Sequence, residues 1–217
     1  MTLSLNEVEA AARKATRGAG YPWGIAEDAG KATRWLCARG LDGCAALAEA
    51  LSRFDGASLA EIAPNPAGAV WTAPAGELCP LMTGTTLSDH AGLSDHVGLV
   101  DAAELRLVEV AVPLLLLPFV ASMAAQRDRC VTLTWTEGSA VTDGSDLSLA
   151  TLPPPNTPWV TVAPGGALGA ARLPRSSRAT PAPEAWDTLN RFAHRTYAPA
   201  TEESRRKGAG ADTSNSD

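Results

Sequence analysis

The sequence predicts an α/β or α+β fold, with an N-terminal three-helix segment packed on a small mixed sheet, then a C-terminal helix and an extended tail. Three observations predict it. Residues 4–54 carry apolar residues at helical spacing in three blocks separated by glycines. From Ala63 onward, prolines and glycines interrupt any helix, and short alternating runs rich in β-branched residues follow. The order strand, helix, strand, loop, strand then points to a mixed core behind an all-helical beginning. With 217 residues, this reads as residues 1–56 forming the helical segment and residues 57–217 the mixed core, within one compact domain.

Each element has its own reason. Ser4 and Glu7 form a capping box, and Leu5, Val8, Ala12 and Ala15 follow at helical spacing until Gly18 and Gly20. A second helix places Ile25, Ala29, Ala32 and Leu36 on one face and ends at Gly40. Asp42 caps a third, with Cys44, Leu47, Leu51 and Phe54 in a stripe that ends at Gly56. Arg13, Lys14, Arg17, Lys31, Arg34, Arg39 and Arg53 lie off these stripes and read as a solvated face. Short strands are expected at Ala69–Ala73 and Leu78–Met82, and a longer one at Leu105–Val112. Pro113 either opens a helix from Leu114 to Arg127, with Pro118 awkwardly inside it, or Leu114–Val120 continues as a buried strand. Val131–Thr136 and Trp159–Ala163 read as strands flanking the turn-rich stretch 137–158. Arg172–Pro183 has the composition of an exposed linker, and a last helix runs to about Arg195 with Trp186, Leu189 and Ala193 inward.

Composition excludes several classes. The formal charge of −6 argues against a nucleic-acid binder, which would carry a basic footprint. The longest apolar run, Val110–Met123, is too short for a membrane span and holds two prolines. The first residues are acidic and helical in pattern, unlike a signal peptide, so a cytoplasmic protein is expected. Cys37, Cys44, Cys79 and Cys130 have no Cys-x-x-Cys spacing and read as small buried hydrophobes rather than a disulfide framework or zinc knuckle.

The stretch most suggestive of chemistry is Leu87–Val97, which reads Ser-Asp-His twice, six residues apart. On a strand, His90 and His96 would share one face and Asp89 and Asp95 the other; on a helix the pair would lie about 240° apart. Gly92 and Gly98 make a long helix poor, so strand or loop is expected. These four residues are the acid/base candidates, since imidazole titrates near neutrality. Two histidines and two aspartates on opposite faces do not complete a metal site, and no metal is assigned. A Gly-x-Ser-x-Gly elbow and a Walker lysine motif are absent, and Pro164–Gly169 lacks the dinucleotide pattern. The sequence leaves any cofactor unknown.

Charge is segregated along the chain. Eight acids and one base lie between Asp55 and Val110, and eight bases and four acids between Arg172 and Lys207. The basic segment is therefore expected to fold over the acidic middle or to offer arginines to an anionic ligand. Arg195, Tyr197, Ser204 and Arg205, ahead of Gly208-Ala209-Gly210, are the ligand-binding candidates.

The runs Gly18–Glu27, Trp35-Leu36 and Arg195–Arg205, with Gly208-Ala209-Gly210, resemble a proteobacterial family known only as a domain of unknown function. The resemblance spans nearly the whole chain and implies one module, without assigning an activity. Two functions stay open. One is an enzyme or binding protein for a small carboxylated metabolite, using the His/Asp cluster and the C-terminal arginines. The other is a non-catalytic accessory or protein-interaction subunit that meets a partner or, as a homodimer, its own copy.

Overall fold

The computed structural model of the protein describes residues 1–92, 104–170 and 172–197. Helix α1 (Leu5–Gly18) starts where the sequence places it: the Ser4 hydroxyl accepts from the Glu7 amide at 3.2 Å, and the Glu7 carboxylate accepts from the Ser4 amide at 2.7 Å. Helix α2 (Trp23–Cys37) follows, then α3 (Gly43–Arg53), whose first turn is held by the Asp42 carboxylate accepting from the Ala45 amide. Their buried stripes include Val8, Ala12, Ala29, Leu36, Leu47 and Leu51. The fourth member of this layer comes from the far end of the chain. Helix α7 (Pro183–His194) packs on α1 and α3, burying Leu189 and Phe192. Gly18 permits this approach, because a Cβ there would overlap the Phe192 carbonyl.

The expected linker at Arg172–Pro183 contains a strand. Strand β8 (Arg178–Ala179) pairs antiparallel with β1 (Leu3–Ser4), just ahead of α1. A short helix, α4 (Leu59–Ile62), leads from the helical layer to the sheet.

The main sheet has six strands: β2 (Val70–Trp71), β3 (Leu105–Ala111), β4 (Val131–Trp135), β5 (Gly138–Thr142), β6 (Leu147–Leu149) and β7 (Asn156–Pro164). Their spatial order is β2-β3-β7-β4-β5-β6, with β2 parallel to β3 and the other pairs antiparallel. The register aligns Leu105, Val162, Leu133, Ala140 and Leu149 in one row across five strands. The first four of these are buried, which is why the alternation of these segments reads as strand. In β3 the phase shifts. Glu109 takes a positive φ of 52°, and burial passes from Leu105 and Leu107 to Val110.

Between the sheet and the helical layer lie α5 (Pro80–Gly92) and α6 (Leu116–Gln126). The expected strand at Leu78–Met82 is not formed. Leu78 makes one isolated bridge to Val110, and Pro80 opens α5, where a missing N–H removes no helical bond. The choice left open after Pro113 resolves as a 3-10 turn (Pro113–Leu115) followed by α6. Pro118 is the third residue of α6, where the amide has no intrahelical partner to lose. Gly84 of α5 lies against the Phe119 ring of α6, so closely that a Cβ would overlap it. One apolar cluster joins all the layers, from Val8 and Leu47 through Leu87 and Leu116 to Leu133 and Val162. The turn-rich stretch 137–158 holds β5 and β6, short strands hidden by Gly138, Asp143 and Gly144. Among the described residues no helix is long and apolar enough to cross a membrane.

Candidate functional site

The first Ser-Asp-His lies on a helix. Leu87–Gly92 is the last part of α5, not a strand or loop. Successive helical residues are about 100° apart, so Asp89 and His90 face different neighbours. The His90 ring packs against Trp71, with centroids 5.5 Å apart and planes at 55°. Asp89 instead opens onto a cleft of about 700 Å³ between α2, α5 and α6. Asp95 and His96 lie outside the described residues, as do Ser204 and Arg205.

That cleft gathers Asp28, Lys31 and Trp35 from α2, Asp89 from α5, and Phe119 and Ser122 from α6. Asp28 pairs with Lys31 at 3.7 Å. Its carboxyl is nonetheless held above the usual aspartate range. Burial is the main cause, the Asp89 charge adds to it, and Lys31 partly offsets it. Among the described residues no group of three His, Cys, Asp or Glu side chains is placed to hold a metal ion.

Arg195 and Tyr197 line a different cleft, of about 610 Å³, between α1, α7 and the start of α2. Arg13, Lys14 and Arg17 project into it from α1, and Trp23 and Tyr197 supply aromatic walls. Both aromatics are largely exposed, at 64% and 57%. Arg17 donates to the Tyr21 carbonyl, and its guanidinium sits 4.8 Å from the centre of the Trp23 ring. Tyr197 meets His194 edge to face, with centroids 5.2 Å apart. Arg13, Lys14 and Arg17 have no carboxylate partner among the described residues.

Arg195 differs from these three. Its two terminal nitrogens donate to the two carboxylate oxygens of Asp55 at 2.6 and 2.8 Å. The guanidinium holds the Asp55 carboxyl below its ordinary value, and Asp55 raises Arg195 in return. Here the basic C-terminal segment meets the acidic middle of the chain. The contact pairs the arginine expected to clamp a ligand, and the cations of the cleft that lack a carboxylate partner among the described residues are those of α1.

The expected solvated face of arginines therefore divides. Arg34 pairs with Glu9 at 2.8 Å, and Arg53 grips Glu77 through two nitrogens at 2.6 Å while also reaching Asn156. Arg39 is buried, lies over the Trp35 ring at 3.5 Å, and donates to the carbonyls of Trp35 and Ser145. Burial lowers its pKa to about 10. Of the cations expected on that face, Arg13, Lys14 and Arg17 line the cleft beside the exposed Trp23 and Tyr197. The spacing i, i+1, i+4 next to Gly18 and Trp23 was a visible signal, but its meaning depends on α7 arriving from residue 183 onward.

The two clefts divide the expected residues: Asp89 belongs to one, and Arg195 and Tyr197 to the other. No curated protein matches the chain. Residues 3–79, which carry Gly18–Glu27 and Trp35-Leu36 but not Arg195–Arg205, are similar to a family described as a protein of unknown function, DUF3726.

Proposed function

We propose that the protein binds a small carboxylated metabolite with an apolar or ring-bearing body in the cleft between α1 and α7. Arg13, Lys14 and Arg17 take the anion, while Trp23 and Tyr197 cover the body. One observation carries this reading: three cations of one helix, without acid partners among the described residues, surround a cleft walled by two exposed aromatics. The volume falls within the range of small-molecule sites. Charge-assisted bonds to arginine, together with a ring face, suit an aromatic carboxylate better than a neutral ligand. His90 and Asp89 stand outside this cleft, so the reading is binding rather than turnover. We place the protein in the bacterial cytoplasm, since its free, mostly buried cysteines suit a reducing compartment.

Titration calorimetry with benzoate, phenylacetate and indole-3-acetate tests the reading. Saturable binding is expected, weakened about tenfold by Arg17→Ala, the loss that follows from about 1.4 kcal/mol. Asp55→Ala, which releases Arg195, should strengthen it. Binding that survives both Arg13→Ala and Arg17→Ala, or is abolished by Asp89→Asn, would overturn the assignment.

The exposure of Trp23 and Tyr197 also supports a second reading, in which an acidic segment of a partner or a second copy covers this cleft. Sedimentation of the parent and of Trp23→Ala separates the two. A dimer dissociated by the substitution favours the interface, and a monomer in both cases favours the ligand.

A further inference from the structure

The cleft between α2, α5 and α6 is opposite in sign to the basic one. Asp28 and Lys31 come to it from α2 and Asp89 from α5, so two acids share it with one base. Lys31 is a weak partner for them. It stands 3.7 Å from Asp28, and its side chain is 67% exposed against 36% for Asp28. A loose, solvated pair of this kind contributes little. Asp89 has no cationic partner among the described residues. The raised Asp28 carboxyl agrees with this arrangement, since burial and the Asp89 charge oppose its ionisation more than Lys31 supports it. A positive group within reach of both carboxylates would relieve them.

The walls of this cleft are held from several sides. The Phe119 ring lines it and is packed over Gly84 of α5. Gly144, in the turn between β5 and β6, lines it as well, and a Cβ there would stand 2.6 Å from the Ala125 Cβ of α6. The same turn fixes Trp35, because Arg39 lies over the Trp35 ring and donates to the Ser145 carbonyl. One face of that ring therefore already carries a cation. Trp35 and Phe119 are left to meet an apolar body, and the positive head of a ligand falls to the carboxylates. A bare metal ion fits less well, since no group of three His, Cys, Asp or Glu side chains among the described residues could hold one. The volume of about 700 Å³ lies within the range of small-molecule sites.

We infer that this cleft is a second binding site, for a small organic amine with an aromatic or apolar body. The ammonium donates to the carboxylates of Asp28 and Asp89, and the body lies against Phe119 and Trp35. The site stands independently of the carboxylate cleft between α1 and α7, with which it shares no lining residue.

Titration calorimetry with phenethylamine tests the inference, with 2-phenylethanol as the neutral match for the same body. Saturable binding of the amine is expected, and no comparable binding of the alcohol. Asp28→Asn and Asp89→Asn should each weaken the amine about tenfold, because hydrogen bonds to charged groups are the strong ones. Both variants should fold, since Asp28→Asn removes a charge that burial disfavours and Asp89 is exposed. Phenylacetate reports on the other cleft and should respond to neither substitution, so the two readings fail separately. Absence of saturable amine binding, equal binding of the alcohol, or amine binding that survives both substitutions would overturn the inference.

Discussion

Asp28 is a carboxylate kept partly from water, facing the charge of Asp89 across the cleft between α2, α5 and α6. Its folded pKa lies above its unfolded one. The charged form therefore weakens the fold once the pH exceeds the folded pKa, and the penalty vanishes below the unfolded pKa. Asp28→Asn should match the parent in acid and exceed it in stability near neutrality, and urea denaturation across that pH range reads the difference. A variant less stable than the parent at neutral pH would mean that the ion pair with Lys31 outweighs burial. At this scale the sequence was only partly legible. Arg39 stands off the apolar stripe like its neighbours, and nothing local tells that the loop at Ser145 folds over it.

Elements were legible where their ends carry local chemistry. The Ser4–Glu7 box and the Asp42 cap mark α1 and α3 in the sequence, and both bonds form. Helix α5 was not legible. Gly84, Thr85 and Thr86 are poor helix formers, and they are tolerated because α6 packs against that face, with the Phe119 ring filling the space above Gly84. Strands β6 and β8 are too short to show a period, β5 is masked by Gly138 at its start, and all three are fixed by their ladders. The helix–helix contact that shapes the basic cleft rests on Gly18. Gly18→Ala sets a methyl against the backbone of α7, and overpacking of this kind costs roughly 1–3 kcal/mol. Thermal unfolding should show that loss together with weaker binding of aromatic carboxylates. A fully stable variant would mean that α7 shifts freely along α1.

Over the whole molecule, the acidic middle and the basic C-terminal segment do meet, at Asp55 and Arg195, but through a bond between two protein groups rather than around a ligand. The candidate site was therefore legible as a charge asymmetry and not as a location. Arg195 and Tyr197 stand out in the sequence, whereas Arg13, Lys14, Arg17 and Trp23 come to line the same cleft only through a contact bridging most of the chain. The fully buried Trp71 shows the same dependence in the core, since its strand pairs with residues 106–107.

The ladder between Leu3–Ser4 and Arg178–Ala179 has a consequence for how the chain comes together. A loop of this length closes late, because its entropy must be met before the contact gives anything back. The segment similar to the family, residues 3–79, ends before β3 and before α7. Made alone, it would leave α1 without α7 and β2 without its ladder. That fragment is expected to lack a cooperative unfolding transition by circular dichroism, and to regain one when residues 80–197 are supplied in trans. Synthesis of the chain should then leave the helical layer open until α7 emerges, so that a segment made late closes the part made first.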